Sequence, residues 1–363
     1  MESRIRFIIP TIEFVLSRGG SILIGAHTGK PGSKQSGFSE LPAVLERMLG
    51  KPVQFLDLAN IDVAQKTAEG LTSGQIVVLE NLLQYDGEAK NQDSFAKSLA
   101  KLADLYVQEA FGSTMLPYAS ILKLPLLLPS YAGLNFYSQL EAVTVLQSGK
   151  ERPNALVLGG VITEQKFKLL HKLLNSSKKM IDTYLISGGI SYTFLKSRAI
   201  PVGNSLVDSS FEIKAFQLIE KSELQEANLL LPTDHIIADQ YSKEARVKTS
   251  SDIPAGWIGL DVGPKTLSRY EKALKNAKYI LWYGPLGASE QEKFSRGTKA
   301  LAKIVARSGA RTIVLGEETA EAVRPFEQDF NLVGGESASV WLEMLTGNMP
   351  PGITALDSSR EEP

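Results

Sequence analysis

Four glycine-bearing turns gather the residues of this 363-residue chain that could do chemistry. The first is Gly159-Gly160, followed by Thr163 and Lys166. A glycine pair lets the backbone come close to an anion, Thr163 can cap a helix, and the unbonded amides of a helix start suit a phosphate. Lys166 adds a full positive charge within the helix's first turn. The chemistry on offer is the holding of phosphate groups. The same glycines would equally serve a tight turn without ligand, and a lysine on a helix is ordinarily solvated. The other turns are SGG from Ser187, YGPLG from Tyr283 and GEET from Gly316. Glu317 and Glu318 offer carboxylates there, either to a cation or to the positive start of a helix.

The elements that must position these turns follow from apolar spacing. Residues 155–158 form a short apolar run, after which Phe167, Leu170, Leu173 and Leu174 fall at helical intervals. Strand-like runs recur at 184–187, 228–231, 279–283 and 312–315, with helical stretches between them. In open parallel sheets the ligand crevice lies beyond the carboxyl ends of the strands, where these turns fall. The first half has the same rhythm, with strands expected at 21–26, 53–58, 76–79 and 105–107. Helices are expected at 39–49, with Pro42 in the first turn and Gly50 as the stop, and at 94–102, with Phe95, Leu99 and Leu102 on one face. Such alternation implies right-handed βαβ units and parallel sheets covered by helices. The proline- and leucine-rich segment 123–133 gives way to an amphipathic stretch at 134–147, which reads as a boundary. The closing DSSREEP is polar.

With 39 basic and 40 acidic residues, the charge balance argues against a general nucleic-acid binder or a polybasic membrane-surface protein. The absence of cysteine excludes disulfides, thiol catalysis and thiolate metal sites, and a reducing cytoplasm is expected. Pro10 and Glu13 make the opening MESRIRFIIPTIEFVL a poor signal peptide. Lys123, Pro125 and Pro129 break the longest apolar stretches short of a membrane span. A soluble monomer is expected, with no nucleic-acid or membrane partner.

The segments RIRFIIPTI, AHTGKPG, LENL, ADLYVQEAFG, LPSYAG, LGG, GGISYTFLK, GLDVGPKT, WYGPLG with Glu290, FSRGT and PPGITAL run in this order from Arg4 to Leu356. In that order the chain resembles the phosphoglycerate kinase family. The resemblance implies an α/β fold of two similar Rossmann-like lobes, each a parallel sheet flanked by helices. The first lobe, 1–133, would hold a small phosphorylated acid and lack the family's first strand with its Asp-Phe-Asn segment. A joining helix would occupy 134–150, a nucleotide lobe 151–345, and a tail at 346–363 would return towards the first lobe. Lobe closure would bring the phosphates together.

The resemblance also implies site residues. Arg4 matches the family arginine facing the transferring phosphate. His27 matches the family's substrate-binding histidine, and Lys30 stands where the family has an arginine, keeping the charge but losing the bidentate fork. ADP or ATP would be held by Gly159, Gly160, Lys166, Gly188, Gly189, Gly263, Pro285, Glu290, Gly316 and Thr319, with Glu318 reaching Mg2+. Arg4, Lys166, Gly334 and Gly335 would form the catalytic set. Several positions depart from the family. Leu83 and Leu116 stand for arginines, Met115 for a histidine, Ile162 for a phosphate-binding lysine, Tyr283 for an asparagine and Glu317 for a glycine. His171 and His235 match no motif and are taken as structural. The implied reaction is ATP + 3-phosphoglycerate = ADP + 1,3-bisphosphoglycerate in glycolysis, weakened or altered by the lost charges. The alternative is a catalytically inactive paralogue that binds ADP, ATP or a protein partner.

Overall fold

The computed structural model describes residues 2–32, 39–333 and 338–358. The chain forms two compact units, one made of 1–140 with 349–363 and the other of 141–348.

In the first unit, α1 (Glu2–Ser17) lays Ile5 and Ile12 into a core shared with Leu45, Val53, Ile76 and Val78. Residues 2–17, for most of which the sequence suggested no element, are therefore a helix, and Pro10 sits on its exposed side. Three short strands, β1 (Ile22–Ile24), β2 (Val53–Leu56) and β3 (Ile76–Leu79), make a parallel sheet in the order β1-β3-β2. Between them lie α2 (Leu41–Leu49) and α3 (Ile61–Glu69). Pro42 falls in the first turn of α2, and Gly50 ends it in the left-handed region at φ 63, which a side chain would resist.

The remaining helices of this unit begin with the one-turn α4 (Asp86–Ala89), α5 (Asp93–Ala100) and the one-turn α6 (Ala119–Leu122). Two further strands, β4 (Tyr106–Gln108) and β5 (Ser130–Ala132), pair with each other as a separate parallel sheet. The segment at 123–133 thus carries a strand as well as a boundary, because both prolines fall before β5 rather than within it. Next comes α7 (Leu134–Ser148), whose first amides at Asn135 and Phe136 donate to the Glu109 carboxylate at 3.3 and 3.0 Å. Thr11 of α1 donates to the same carboxylate at 2.6 Å, and its hydroxyl accepts from Leu134 N at 2.9 Å. The division between the units falls inside α7, after Leu140.

The second unit is built on a six-stranded, all-parallel sheet. Its strands are β6 (Asn154–Leu158), β7 (Thr183–Ile186), β8 (Asn228–Leu230), β12 (Tyr279–Tyr283), β13 (Arg311–Leu315) and β14 (Asn331–Val333), in the order β14-β13-β12-β6-β7-β8. Every residue of β6 and β7 is buried, which is why these strands read as continuous apolar runs. The helices are α8 (Glu164–Asn175), α9 (Gly188–Ser197), α10 (Glu212–Leu224), α11 (Pro264–Leu274), α12 (Arg296–Ser308), α13 (Glu317–Val323) and α14 (Ala338–Leu345). A second, antiparallel sheet of β9 (His235–Ala238), β10 (Val247–Ser250) and β11 (Ile258–Val262) was not foreseen. β10 is mostly exposed and polar, so no apolar run marks it.

The final helix, α15 (Pro351–Ser358), belongs to the first unit. Gly352 has no room for a side chain there, since a Cβ would lie 2.8 Å from Ile121 and 2.9 Å from Thr114. Among the described residues, no helix is long and apolar enough to cross a membrane.

Candidate active site

At the carboxyl ends of β6, β7 and β12, three turns pack backbone against backbone. Gly159 N donates to Tyr283 O at 2.9 Å, Gly160 N to Pro285 O at 2.7 Å, and Gly188 N to Leu286 O at 3.0 Å. A Cβ at Gly159 would lie 2.1 Å from Pro285 O, and one at Gly284 2.2 Å from Gly159 O. These glycines are thus required by close approach of chain to chain. The amides of Gly159 and Gly160 are bonded within the protein, so these glycines bring the turns together rather than offering their own N–H groups.

Lys166 stands beside these turns. The helix that carries it is capped by Thr163, whose hydroxyl accepts from Lys166 N at 3.4 Å. Its side chain is 3 % exposed rather than solvated, and Nζ donates to Gly159 O at 2.7 Å and Val161 O at 2.8 Å. The Tyr283 ring lies beneath it, 5.0 Å from centroid to Nζ. Burial lowers its pKa to about 8, and the negative charge of Glu318 works against that shift. An ammonium has three N–H donors, so one is left after the two carbonyls. Ile162, half-buried nearby in the chain, adds no charge.

The GEET turn is divided in role. Glu317 and Glu318 are exposed in the first turn of α13. Thr319, expected to contact nucleotide, is buried at 1 % exposure. Its hydroxyl donates to Leu315 O at 2.7 Å and accepts from Gly284 N at 2.7 Å, tying this turn to that of β12. Gly316, at φ 85, passes against the Tyr283 ring, 3.2 Å from where its Cβ would be. Gly189 follows in the first turn of α9, with Leu206 3.3 Å from its Cβ position. The structure thus gathers Gly159, Gly160, Lys166, Gly188, Gly189, Pro285, Gly316 and Thr319 at one edge of the sheet, with the Glu318 charge felt at Lys166. Glu290 is exposed and accepts from the Tyr241 hydroxyl. Gly334 and Gly335 lie outside the described residues.

Two buried aspartates that sequence reading passed over shape the scaffold. Gly263 precedes α11, and Asp234 fills the space beside it, 2.4 Å from its Cβ position. That carboxylate accepts from Lys265 N at 2.9 Å, Thr266 N at 2.8 Å and the Thr266 hydroxyl at 2.7 Å, capping the helix. Asp261 accepts from Gly297 N at 2.7 Å and Val262 N at 2.8 Å, while burial pushes its pKa up to about 7. Gly287 and Gly297 both crowd it, so it joins the β12 turn to the start of α12. The abundance of glycine around these aspartates was the only available signal.

In the first unit, His27 Nε2 lies 2.6 Å from Glu88 Oε1 and the ring meets Tyr118 edge-on at 5.0 Å. Asn81 clamps the loop after His27, accepting from Thr28 N at 3.1 Å and donating to Thr28 O at 2.9 Å. Lys30 is exposed on that loop. Leu83 is 3 % exposed and its carbonyl accepts from Gly32 N at 2.8 Å, so the leucine has become part of the wall beneath the loop. Met115 and Leu116 are partly exposed, 37 % each. The backbone of Arg4 is in the first turn of α1.

Parallel sheets with glycine turns at their carboxyl edge define a Rossmann-like α/β protein, and the comparisons with known proteins give the family. A family model described as phosphoglycerate kinase matches residues 1–348. The phosphoglycerate kinase of Leptospira biflexa is 40 % identical over 99 % of this chain and 92 % of its own length. That of Herpetosiphon aurantiacus is 35 % identical over 98 % of this chain and 91 % of its own. Among solved structures, phosphoglycerate kinase from Coxiella burnetii superposes with a TM-score of 0.82 at 29 % identity, covering 98 % of this chain and 91 % of that one. The chain belongs to the phosphoglycerate kinase family.

Proposed function

We propose that this chain is a phosphoglycerate-kinase-like phosphotransferase of glycolysis, passing a phosphoryl group between ATP and 3-phosphoglycerate. The observation that carries this reading is the 40 % identity to the Leptospira biflexa kinase over 99 % of the chain. In this reading, the nucleotide phosphates meet the remaining Lys166 N–H at the glycine turns, and His27, Lys30 and Arg4 bind the acid. A carboxylate oxygen attacks the terminal phosphorus of ATP and the bond to the bridging oxygen of ADP breaks, so the protein needs to supply chiefly charge and orientation. Among the described residues, no group of three His, Asp or Glu side chains is placed to hold a metal ion. Exposed Glu318, in the first turn of α13, would meet Mg2+ carried on the nucleotide phosphates. When bound, the ion would neutralise phosphate charge.

The rate is reduced in this reading, because an arginine acting on the transferring group is worth about 10³ to 10⁵ in rate. Leu83 is buried, and no change of rotamer there returns a charge. That observation favours a second reading, an inactive paralogue that binds ADP, ATP or a protein partner. A coupled assay with 3-phosphoglycerate, run beside ADP calorimetry on one sample, separates the two. Acid-dependent ATP turnover supports the kinase, ADP binding without turnover supports the paralogue, and neither signal at millimolar ligand sinks both as nucleotide proteins.

A further inference from the structure

Glu88 is a fully buried carboxylate, 0 % exposed, on a helix of four residues. Such a group is costly unless it is bonded on all sides. Ser120 N donates to Oε2 at 3.0 Å, and the Ser120 hydroxyl donates to Oε1 at 2.6 Å. His27 Nε2 supplies the third contact, also on Oε1 at 2.6 Å. Because the Ser120 hydroxyl gives its proton to the glutamate, its 3.5 Å approach to Nε2 is not a competing strong bond. Tyr118, from the stretch leading into α6, holds the imidazole edge-on. Among the described residues, Nδ1 has no hydrogen-bond partner, and it is not one of the enclosed polar atoms left without one.

From this arrangement we propose that Glu88 is a positioning residue for His27. Its carboxylate fixes the proton on Nε2 and aims Nδ1 outward as the nitrogen that meets a carboxylate or phosphate oxygen of the acid substrate. The inference rests on the kinase reading for the identity of that acid, but its geometric half stands apart. A neutral ring with its proton on Nε2 presents a lone pair at Nδ1, which repels an anion. An acid is therefore met through Nδ1 only by a ring that carries a proton on both nitrogens, with the Glu88 carboxylate on the Nε2 side. Among the described residues, the titratable groups that meet this pair are Tyr118 before α6, against the imidazole, and Tyr106 of β4, whose phenol feels the Glu88 charge.

The test combines nitrogen NMR of the His27 ring with 3-phosphoglycerate binding across pH. In the unaltered protein the ring, when neutral, is expected to show its proton on Nε2, and in the acid complex Nδ1 is expected to be protonated as well. Glu88→Gln should mix the two tautomers and weaken acid binding about tenfold or more, with kcat changed less than KM. His27→Gln should weaken binding similarly, and adding Glu88→Gln to it should cost no further affinity. The tautomer in the unaltered protein decides the matter even if Glu88→Gln fails to fold. A proton resting on Nδ1 of the free protein, or strictly additive losses in the double variant, overturns the proposal. Absence of acid binding in the unaltered protein overturns the kinase reading and the substrate half of the proposal together, while a proton on Nε2 would leave the geometric half supported.

Discussion

Replacing Lys166 by methionine separates a ligand-binding lysine from a structural one, because the two roles predict opposite results. Methionine has nearly the same length and keeps the packing of the stem. Burial has lowered the lysine pKa from 10.5 to about 8, which sets the cost of the charged form at about 3 kcal/mol. Methionine removes that cost but leaves Gly159 O and Val161 O without their donor, at about 1 to 3 kcal/mol each, so the two effects largely offset. Lys166→Met is therefore expected to change stability at pH 7 by only about 1 kcal/mol, while ADP affinity falls about 10- to 100-fold. The pH dependence has a definite sign. Between pH 8 and 10.5 the unfolded chain holds the lysine proton that the folded chain has released, so this group makes the unaltered protein more stable as pH rises across that window. The methionine variant should lack that rise. ADP binding at pH 9 should take up a proton in the unaltered protein and none in the variant. Urea denaturation at pH 7 and 10, with calorimetry in buffers of different ionisation heat, measures both. A variant that loses more than about 3 kcal/mol and binds ADP unchanged would refute the reasoning.

Two other substitutions test the departures from the family and the scaffold. Ile162→Lys is expected to raise acid-dependent ATP turnover at least about tenfold by adding a second cation near the glycine turns, and unchanged turnover in a folded variant would show that Ile162 is not the limiting loss. Asp234→Ala removes the acceptor for Lys265 N, Thr266 N and the Thr266 hydroxyl, and should cost about 3 kcal/mol in urea denaturation, combining a lost cap with buried donors left unbonded.

The amino-acid sequence by itself determined the alternation of elements and the places where the chain turns. β6, β7 and β12 are buried parallel strands, so their apolar runs mark them directly, and Thr163, Pro42 and Gly50 act on their own neighbours in the chain. The ordered motifs from Arg4 to Leu356 carried the family as well. The sheet of β9 to β11 was not read from sequence, because β10 is polar and exposed and the three short strands are joined only by antiparallel pairing with one another. Nor could sequence show what the glycines do. Gly159 and Gly284 lie 125 positions apart, and only their meeting across neighbouring strands makes a side chain impossible at either. Tertiary structure likewise turned Lys166 inward, spent the Thr319 hydroxyl on the scaffold, and set His27 against Glu88 from 61 residues away. Each of these depends on which groups are left to satisfy one another once water is excluded, and that is decided by the packed chain rather than by any residue's neighbours in sequence.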